Sequence, residues 1–448
     1  MISRRISAAS IVALLVAAGC ASSNGEQQPT AGSDAPVESE TPETEAPAET
    51  EAAAETEAAA ETDAPAETEA PAETEAPAET EAPAQTEAPP ATDAPAETDA
   101  PAAQAGYDFS AVDAIVSEFV DAEGLNGAGL IIVDADDGVV HEDYWGEFSA
   151  DRISLIASSS KMVAAGVLLR LQDDGLLDID APVAEVTGWD GNPEITTAQL
   201  LSNSSGLVGL GPNPVYGPYL CQFFADSEIE DCGRTVFETP DDDADVIAPD
   251  TEFRYGGAQW QVAGAVAEIV SGQTWAELID EIYVEPCGLE GFGFNNHWAS
   301  IGGGGFAYPF DAFNADPSVL ADTENPQIEG GAYSTAGDYA KLLLMHLRGG
   351  MCGETQVLSQ EALDTMHADR VESAYGGNAG DATGYGMGWW VDRETGRISD
   401  AGAYGSVPWL DLDDGYGAYL VIEADSGTGN TLAGLLEEPV DAAIMAAG

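Results

Sequence analysis

The chain has 448 residues, with 12 lysines and arginines against 81 aspartates and glutamates, a formal net charge of −69. Phosphate recognition needs clustered cations, so this balance excludes a nucleic-acid-binding protein. The hydrophobic fraction of 44% is that of a globular protein but is unevenly spread, and the chain divides into three parts.

Arg4 and Arg5 precede an apolar run from Ile11 to Ala18 that ends in small residues before Cys20. A basic start, a short apolar stretch and small residues make residues 1–20 a secretory signal peptide, too short to span a bilayer stably. Cys20 resembles the lipobox cysteine of bacterial lipoproteins. That resemblance implies lipidation at Cys20, a mature N-terminus there, and a lipid anchor on the outer side of the cell membrane. Plain cleavage near Ala18 and release is the alternative.

Residues 21–105 repeat Thr-Glu-Ala-Pro-Ala-Glu without an aromatic or basic residue. Too little apolar surface is available to offset the entropy of ordering, so a disordered acidic linker is expected. Proline and self-repulsion extend such a chain, giving a reach of up to ~260 Å at 3.1 Å per residue.

Four cysteines follow, Cys221, Cys232, Cys287 and Cys352. An even number in an exported chain allows two disulfides. Cys221 with Cys232 is favoured by the short polar loop between them, and Cys287 with Cys352 follows by elimination. No Cys-x-x-Cys or histidine cluster suggests a metal.

Residues 106–448 alternate in pattern. Asp113 to Val120 has helical spacing, Gly129 to Ala135 is an apolar strand, and Asp136-Asp137-Gly138 turns it into a partner, Val139 to Tyr144. Ser159 to Leu171 is a strongly apolar helix. Further helices are expected at Thr197–Leu201, Trp260–Val270, Thr274–Ile282 and Ala336–Leu347. Strand character returns at Gly386–Val391, Pro408–Leu412 and Tyr416–Ile422, and Thr431 to Met445 reads as a last helix. Strands at both ends around a helical middle predict an α/β (α+β type) domain: one antiparallel sheet flanked by helices, with a mainly helical insertion.

Ser158-Ser159-Ser160-Lys161 opens the apolar helix, and Lys161 is one of only two lysines in the chain. Serine there has an ordinary use as a helix cap. A lysine one turn from Ser158 is within reach of its hydroxyl, and burial would lower its pKa until the amine serves as a base.

Here the chain resembles the serine β-lactamase and penicillin-binding-protein superfamily, in its class C β-lactamase-like branch of esterases and D-aminopeptidases. The resemblance spans most of residues 140–425, in ordered segments. They are Phe148 to Lys161, Asp174 to Asp180, Leu200-Leu201-Ser202-Asn203-Ser204-Ser205-Gly206-Leu207, Pro249 to Tyr255, Gly330 to Asp338, and Tyr385 to Trp390. It implies a β-lactamase/transpeptidase-like fold and an acyl-enzyme on Ser158, with no cofactor and no metal. Lys161 and Tyr255 manage the proton, and the third motif falls on Asp400-Ala401-Gly402. The amide of Ala403 would join that of Ser158 as oxyanion donor. Which of Lys161 and Tyr255 is the base depends on whether the lysine is charged at rest.

Two positions depart from the family. Tyr255-Gly256-Gly257 stands where Tyr-x-Asn is frequent, and Asp400 stands where Lys-Thr-Gly or His-x-Gly begins. An aspartate there is expected to repel a substrate carboxylate, by roughly 1–4 kcal/mol at ~4 Å. Neutral or cationic esters and amides are therefore expected ahead of penicillins or D-Ala-D-Ala peptides. β-Lactamase, D-Ala-D-Ala carboxypeptidase or D-aminopeptidase activity is the alternative, and a non-catalytic surface-binding domain the rival from another class. The expected partner is a small-molecule or cell-wall-derived substrate, met by a monomer.

The remaining features read as ordinary structure. His141, His297, His346 and His367 are scattered without metal-ligand spacing, and His346 sits in an apolar helix. Gly302 to Gly305 lacks the lysine of a phosphate loop. Asp241-Asp242-Asp243 with Asp245 reads as a solvated loop. The resemblance places this segment and the Cys221–Cys232 loop at the mouth of the active site.

Overall fold

The computed structural model describes residues 106–447, apart from 211–215, 240–244, 298–315, 321 and 372–381. Its main sheet has seven antiparallel strands drawn from both ends of this stretch. In chain order they are β1 (Gly127–Asp134), β2 (Gly138–Gly146), β3 (Thr383–Tyr385), β4 (Trp390–Asp392), β5 (Ile398–Ser399), β6 (Ser406–Asp411) and β7 (Tyr416–Ile422). Across the sheet they run β2-β1-β7-β6-β5-β4-β3. The join between the two ends is β1 against β7, with Leu130 opposite Leu420 and Ile132 opposite Ala418. The β1–β2 turn closes as expected: the Asp134 carboxylate accepts from the amides of Asp136 and Asp137, and Gly138 takes the positive φ.

Seven helices matter for the site: α1 (Ser110–Glu123), α2 (Lys161–Asp173), α3 (Thr197–Leu201), α4 (Ile229–Phe237), α5 (Ala258–Ser271), α6 (Ala336–Leu347) and α7 (Ser426–Ala447). On one sheet face, Val112, Val116 and Val120 of α1 join Leu432, Leu436 and Val440 of α7 over Leu130, Ile132, Ala418 and Leu420. On the other, Ile131, Val133, Tyr419 and Val421 pack into the larger core with α2, α5 and α6, and Tyr339 stacks on Tyr419 at 4.3 Å. Both faces are covered, which is why β1 is an unbroken apolar run rather than an alternating one. Ten of the thirteen residues of α2 are buried, which accounts for its apolar character all round.

Three expected elements differ in detail. The helix expected from Ser159 begins as a 3₁₀ turn at Ala157–Ser160, and its α-helical part starts at Lys161. The Thr274–Ile282 helix is α-helical only over Trp275–Ile279 and widens into a π turn at Asp280–Val284. The expected Gly386–Val391 strand falls mostly on the tight connection between β3 and β4, and only Trp390 and Val391 of it are strand. Gly388 there has φ +84°, and a Cβ on it would lie 2.7 Å from the carbonyl oxygen of Lys161, so this connection presses directly on the start of α2.

Both expected disulfides are present, with Cα separations of 5.5 Å for Cys221–Cys232 and 4.9 Å for Cys287–Cys352. Among the described residues no helix is long and apolar enough to cross a membrane. Residues 1–105 with Cys20, the run Asp241-Asp242-Asp243 and Gly302 to Gly305 lie outside the described residues.

Candidate active site

A small sheet leads into Ser158, the expected nucleophile. Ser154–Leu155 pairs with Ala332–Ser334, and the amide of Ile156 donates to Ala332 at 3.1 Å. The chain then turns sharply: Ala157 has φ +45°, a left-handed conformation that costs a β-carbon residue ~1–2 kcal/mol. Two of the three serines that follow are used to hold this turn. Ser159 Oγ donates to the Asp400 carbonyl at 2.7 Å and lies 2.8 Å from Ser406 Oγ. Ser160 Oγ donates to the Ala157 carbonyl at 2.6 Å and accepts from the Ala332 amide at 3.0 Å. Ser158 alone turns its hydroxyl toward lysine and tyrosine.

Lys161 Nζ donates to Ser158 Oγ at 3.2 Å, to the Glu329 carbonyl at 3.1 Å and to Glu329 Oε2 at 3.0 Å. Its side chain is fully buried. Tyr255 Oη donates to the same Ser158 Oγ at 2.9 Å, and Lys161 Nζ stands 4.7 Å from the centre of the tyrosine ring. The ring of Tyr255 is stacked on Trp390 at 5.6 Å and flanked edge-on by Tyr385 at 6.3 Å.

The loop before α5 that carries Tyr255 is fixed from the segment after α3. Asn203, at φ +55°, accepts at Oδ1 from Gln259 and Trp260, and its carbonyl accepts from the Arg254 amide at 2.9 Å. Asparagine tolerates that left-handed backbone better than most side chains. One residue thus ties two of the family-like segments together.

The third motif follows the end of β5. A Cβ on Gly402 would lie 2.1 Å from the carbonyl oxygen of Ile156, so only glycine lets this stretch close against the nucleophile turn. The Ser406 hydroxyl, donating to that same carbonyl at 2.8 Å, completes the clamp. Asp400 is fully buried, and neither carboxyl oxygen has a hydrogen-bond partner among the described residues. Burial pushes its pKa well above the usual carboxylate range, against the pull of Lys161. Burial that raises the Asp400 pKa favours the protonated form and so weakens the expected repulsion of a substrate carboxylate.

Burial alone would lower the pKa of Lys161, but Glu329, with Tyr255 and Asp400, raises it above the ordinary lysine value. The Glu329 carboxylate, in contact with the ammonium at 3.0 Å, is the leading counter-charge. Tyr255 is pushed up to about 12, by burial first, with Lys161 pulling the other way and Asp400 and Glu329 adding to the rise. Near neutrality these shifts favour an ammonium at Lys161 and a neutral phenol at Tyr255.

Sequence reasoning missed Glu329. It lies beside the family-like Gly330-Gly331 segment, 168 positions from Lys161, and no spacing rule connects them. Gly257 was visible as a departure, yet its meaning was not. Gln222, next to Cys221, also reaches this corner: a Cβ on Gly257 would lie 2.5 Å from its Oε1.

The histidines stay apart from this chemistry. His346 Nδ1 and His367 Nε2 are 2.9 Å apart beneath Trp389, and His297 Nε2 lies 2.6 Å from Tyr404 Oη. No group of His, Cys, Asp and Glu able to hold a metal ion occurs among the described residues.

A buried lysine and a tyrosine on one serine hydroxyl, beneath a mixed sheet-and-helix fold, define a serine hydrolase of the β-lactamase and penicillin-binding-protein class. The Beta-lactamase family model matches residues 112–436, and the chain belongs to that family. It is 24% identical over 330 residues to penicillin-binding protein 4 of Amycolatopsis lactamdurans, covering 67% of this chain and 81% of that protein. To esterase EstB of Burkholderia gladioli it is 28% identical over 247 residues, covering 49% of this chain and 59% of the esterase. A crystal structure of a putative beta-lactamase from Bacteroides dorei superposes with a TM-score of 0.58 at 28% identity, covering 76% of this chain and 99% of the other.

Proposed function

We propose that the chain is an exported, lipid-anchored hydrolase that cleaves neutral or cationic esters through an acyl-enzyme on Ser158. The observation that carries this reading is the placement of Ser158 Oγ between Lys161 Nζ at 3.2 Å and Tyr255 Oη at 2.9 Å. With Lys161 held as a cation, the phenolate form of Tyr255 takes the serine proton as Oγ attacks the acyl carbon. The amides of Ser158 and Ala403 receive the developing oxyanion. Tyr255 then returns the proton to the leaving alcohol, and water repeats the sequence to release the acid.

Ester preference rests on what the pocket offers. Lys161 is already committed to Glu329, and the third motif begins with the buried Asp400 in place of a cation, so neither supplies a positive charge for a substrate carboxylate. Phe253 and Trp390 add half-buried aromatic surface beside Tyr255, suited to an apolar acyl or alkoxy group. The similarity to a penicillin-binding protein supports β-lactamase, carboxypeptidase or aminopeptidase activity as the second reading.

A panel of a short-chain nitrophenyl ester, a chromogenic cephalosporin and D-alanyl peptides, with wild type beside Ser158→Ala, tests the assignment. Ester turnover lost in the variant and a fluorophosphonate mass adduct on Ser158 are expected. Cephalosporin turnover exceeding ester turnover would give the second reading priority. The anchor is tested separately by fatty-acid labelling, which Cys20→Ser is expected to abolish.

A further inference from the structure

We propose that Glu329 is the positioning residue that holds Lys161 as a cation on Ser158, and that residue 257 is glycine because the Glu329 carboxylate needs its space. This rests on the reading of Ser158 as the nucleophile.

The ammonium of Lys161 has three donors. Two go to Glu329, one to its carbonyl oxygen at 3.1 Å and one to Oε2 at 3.0 Å, which leaves the third aimed at Ser158 Oγ. A fully buried ammonium without a counter-charge gives up its proton. The titratable groups that face Lys161 and Tyr255 are Glu329, Asp400 and, against the tyrosine, Tyr385. Of these, Glu329 is the one in contact with the ammonium, its Oε2 3.0 Å from Lys161 Nζ.

The second observation is independent. A Cβ on Gly257 would lie 1.9 Å from Glu329 Oε1 and 2.1 Å from its Cδ. Gly257 has φ −79° and ψ −30°, which any residue adopts, so the backbone does not require glycine there. Space for the carboxylate does. The asparagine that the family resemblance leads one to expect at 257 would fall where Glu329 sits.

Removing the negative charge lowers the pKa of Lys161 and of Tyr255 alike, whichever accepts the serine proton. The chain has only two lysines, so lysine labelled with ¹³C at Cε gives two side-chain signals, and Lys341→Arg assigns them. In the full-length protein the Lys161 signal is expected to remain that of an ammonium up to pH ~11, above the ordinary lysine value of ~10.4. In Glu329→Gln it is expected to titrate at least ~1 pH lower than in wild type. Gly257→Ala, which displaces the carboxylate without removing it, is expected to shift the titration the same way.

An unchanged Lys161 titration in Glu329→Gln overturns the electrostatic half of the proposal, and a wild-type titration in Gly257→Ala overturns the spatial half. With an active ester substrate, the acid limb of kcat/KM is expected to move to lower pH in Glu329→Gln. A uniform loss across the profile, with the limb in place, would make Glu329 merely structural. Because the lysine titration needs no turnover, an inactive wild type would defeat the esterase reading while leaving this test intact.

Discussion

Tyr255 points its phenolic proton at Ser158 Oγ across 2.9 Å, so in the resting site the tyrosine is a donor to the nucleophile and not its base. With the phenol raised to about 12, the reactive phenolate is a small fraction near neutrality. Ester kcat/KM is therefore expected to rise ~tenfold per pH from 7 upward until the fold fails. Tyr255→Phe should lower it by ~10²-fold or more at pH 8, and Ser158→Ala by more than ~10³-fold. The same raised pKa has a stability consequence. It stabilises the fold fully below the unfolded tyrosine value of ~10, and that contribution is lost as pH climbs toward the folded one. A pH–rate profile flat from 6 to 9 would remove Tyr255 from the proton path.

Acid should destabilise the protein through buried histidines. Burial pushes His297 down to about 3, His367 down to about 4, and His346 well below its ordinary value, the last two facing each other. Their contribution is complete above the unfolded value of ~6.5 and is lost as pH falls toward the folded values. Each histidine costs ~1.4 kcal/mol per pH across that window. The buried carboxyl of Asp400, raised well above its ordinary value, works the other way and gains stability as pH falls, and one such group offsets about one of the three histidines. Chemical denaturation at pH 7, 6 and 5 should show falling stability, less steeply in His297→Gln.

Glu423 is a buried anion with a single cationic partner among the described residues. Arg152 grips it with Nε at 2.8 Å and Nη2 at 2.5 Å, while Ser154 and Asn126 donate at 3.1 Å and 2.8 Å. Arg152→Ala leaves that carboxylate buried without its charge partner, and a loss of ~3–5 kcal/mol is expected from urea unfolding.

Loop length ranks the two disulfides. Cys287 and Cys352 are 65 positions apart, Cys221 and Cys232 only 11. Removing the long-loop pair by double alanine substitution should cost ~4 kcal/mol, and removing the short-loop pair ~3 kcal/mol. The short one is expected to have the greater effect on turnover, because it holds the stretch from which Gln222 reaches Gly257. Unfolding curves and ester kinetics on the two double variants would show the two rankings reversed.

Salt should stabilise the chain. A net charge of −69 repels itself, and molar NaCl shortens the screening length to ~3 Å. The melting temperature is expected to rise between 0.05 and 1 M NaCl, and an unchanged value would show that the acidic surface carries no strain.

Local signals in the sequence were sufficient for the order of elements and for singling out Ser158 and Lys161, while Tyr255 came from the family resemblance. Apolar runs, the turn at Asp136-Asp137-Gly138 and the Ser-x-x-Lys spacing act over a few residues, and such signals survive in a one-dimensional reading. The serine triplet shows the limit. Ser159 and Ser160 bind partners at Asp400 and Ala332, far along the chain, and only the folded turn separates structural hydroxyls from the free one.

Charge states were decided by tertiary structure alone. Asp400 reads in the sequence as an anion, and complete burial shifts it toward the protonated form. Gly257 reads as a lost asparagine, and it proves to be room for a carboxylate that arrives from residue 329. Both outcomes depend on distance and on exclusion of water, which are properties of the packed interior and leave no mark on neighbouring residues in the chain.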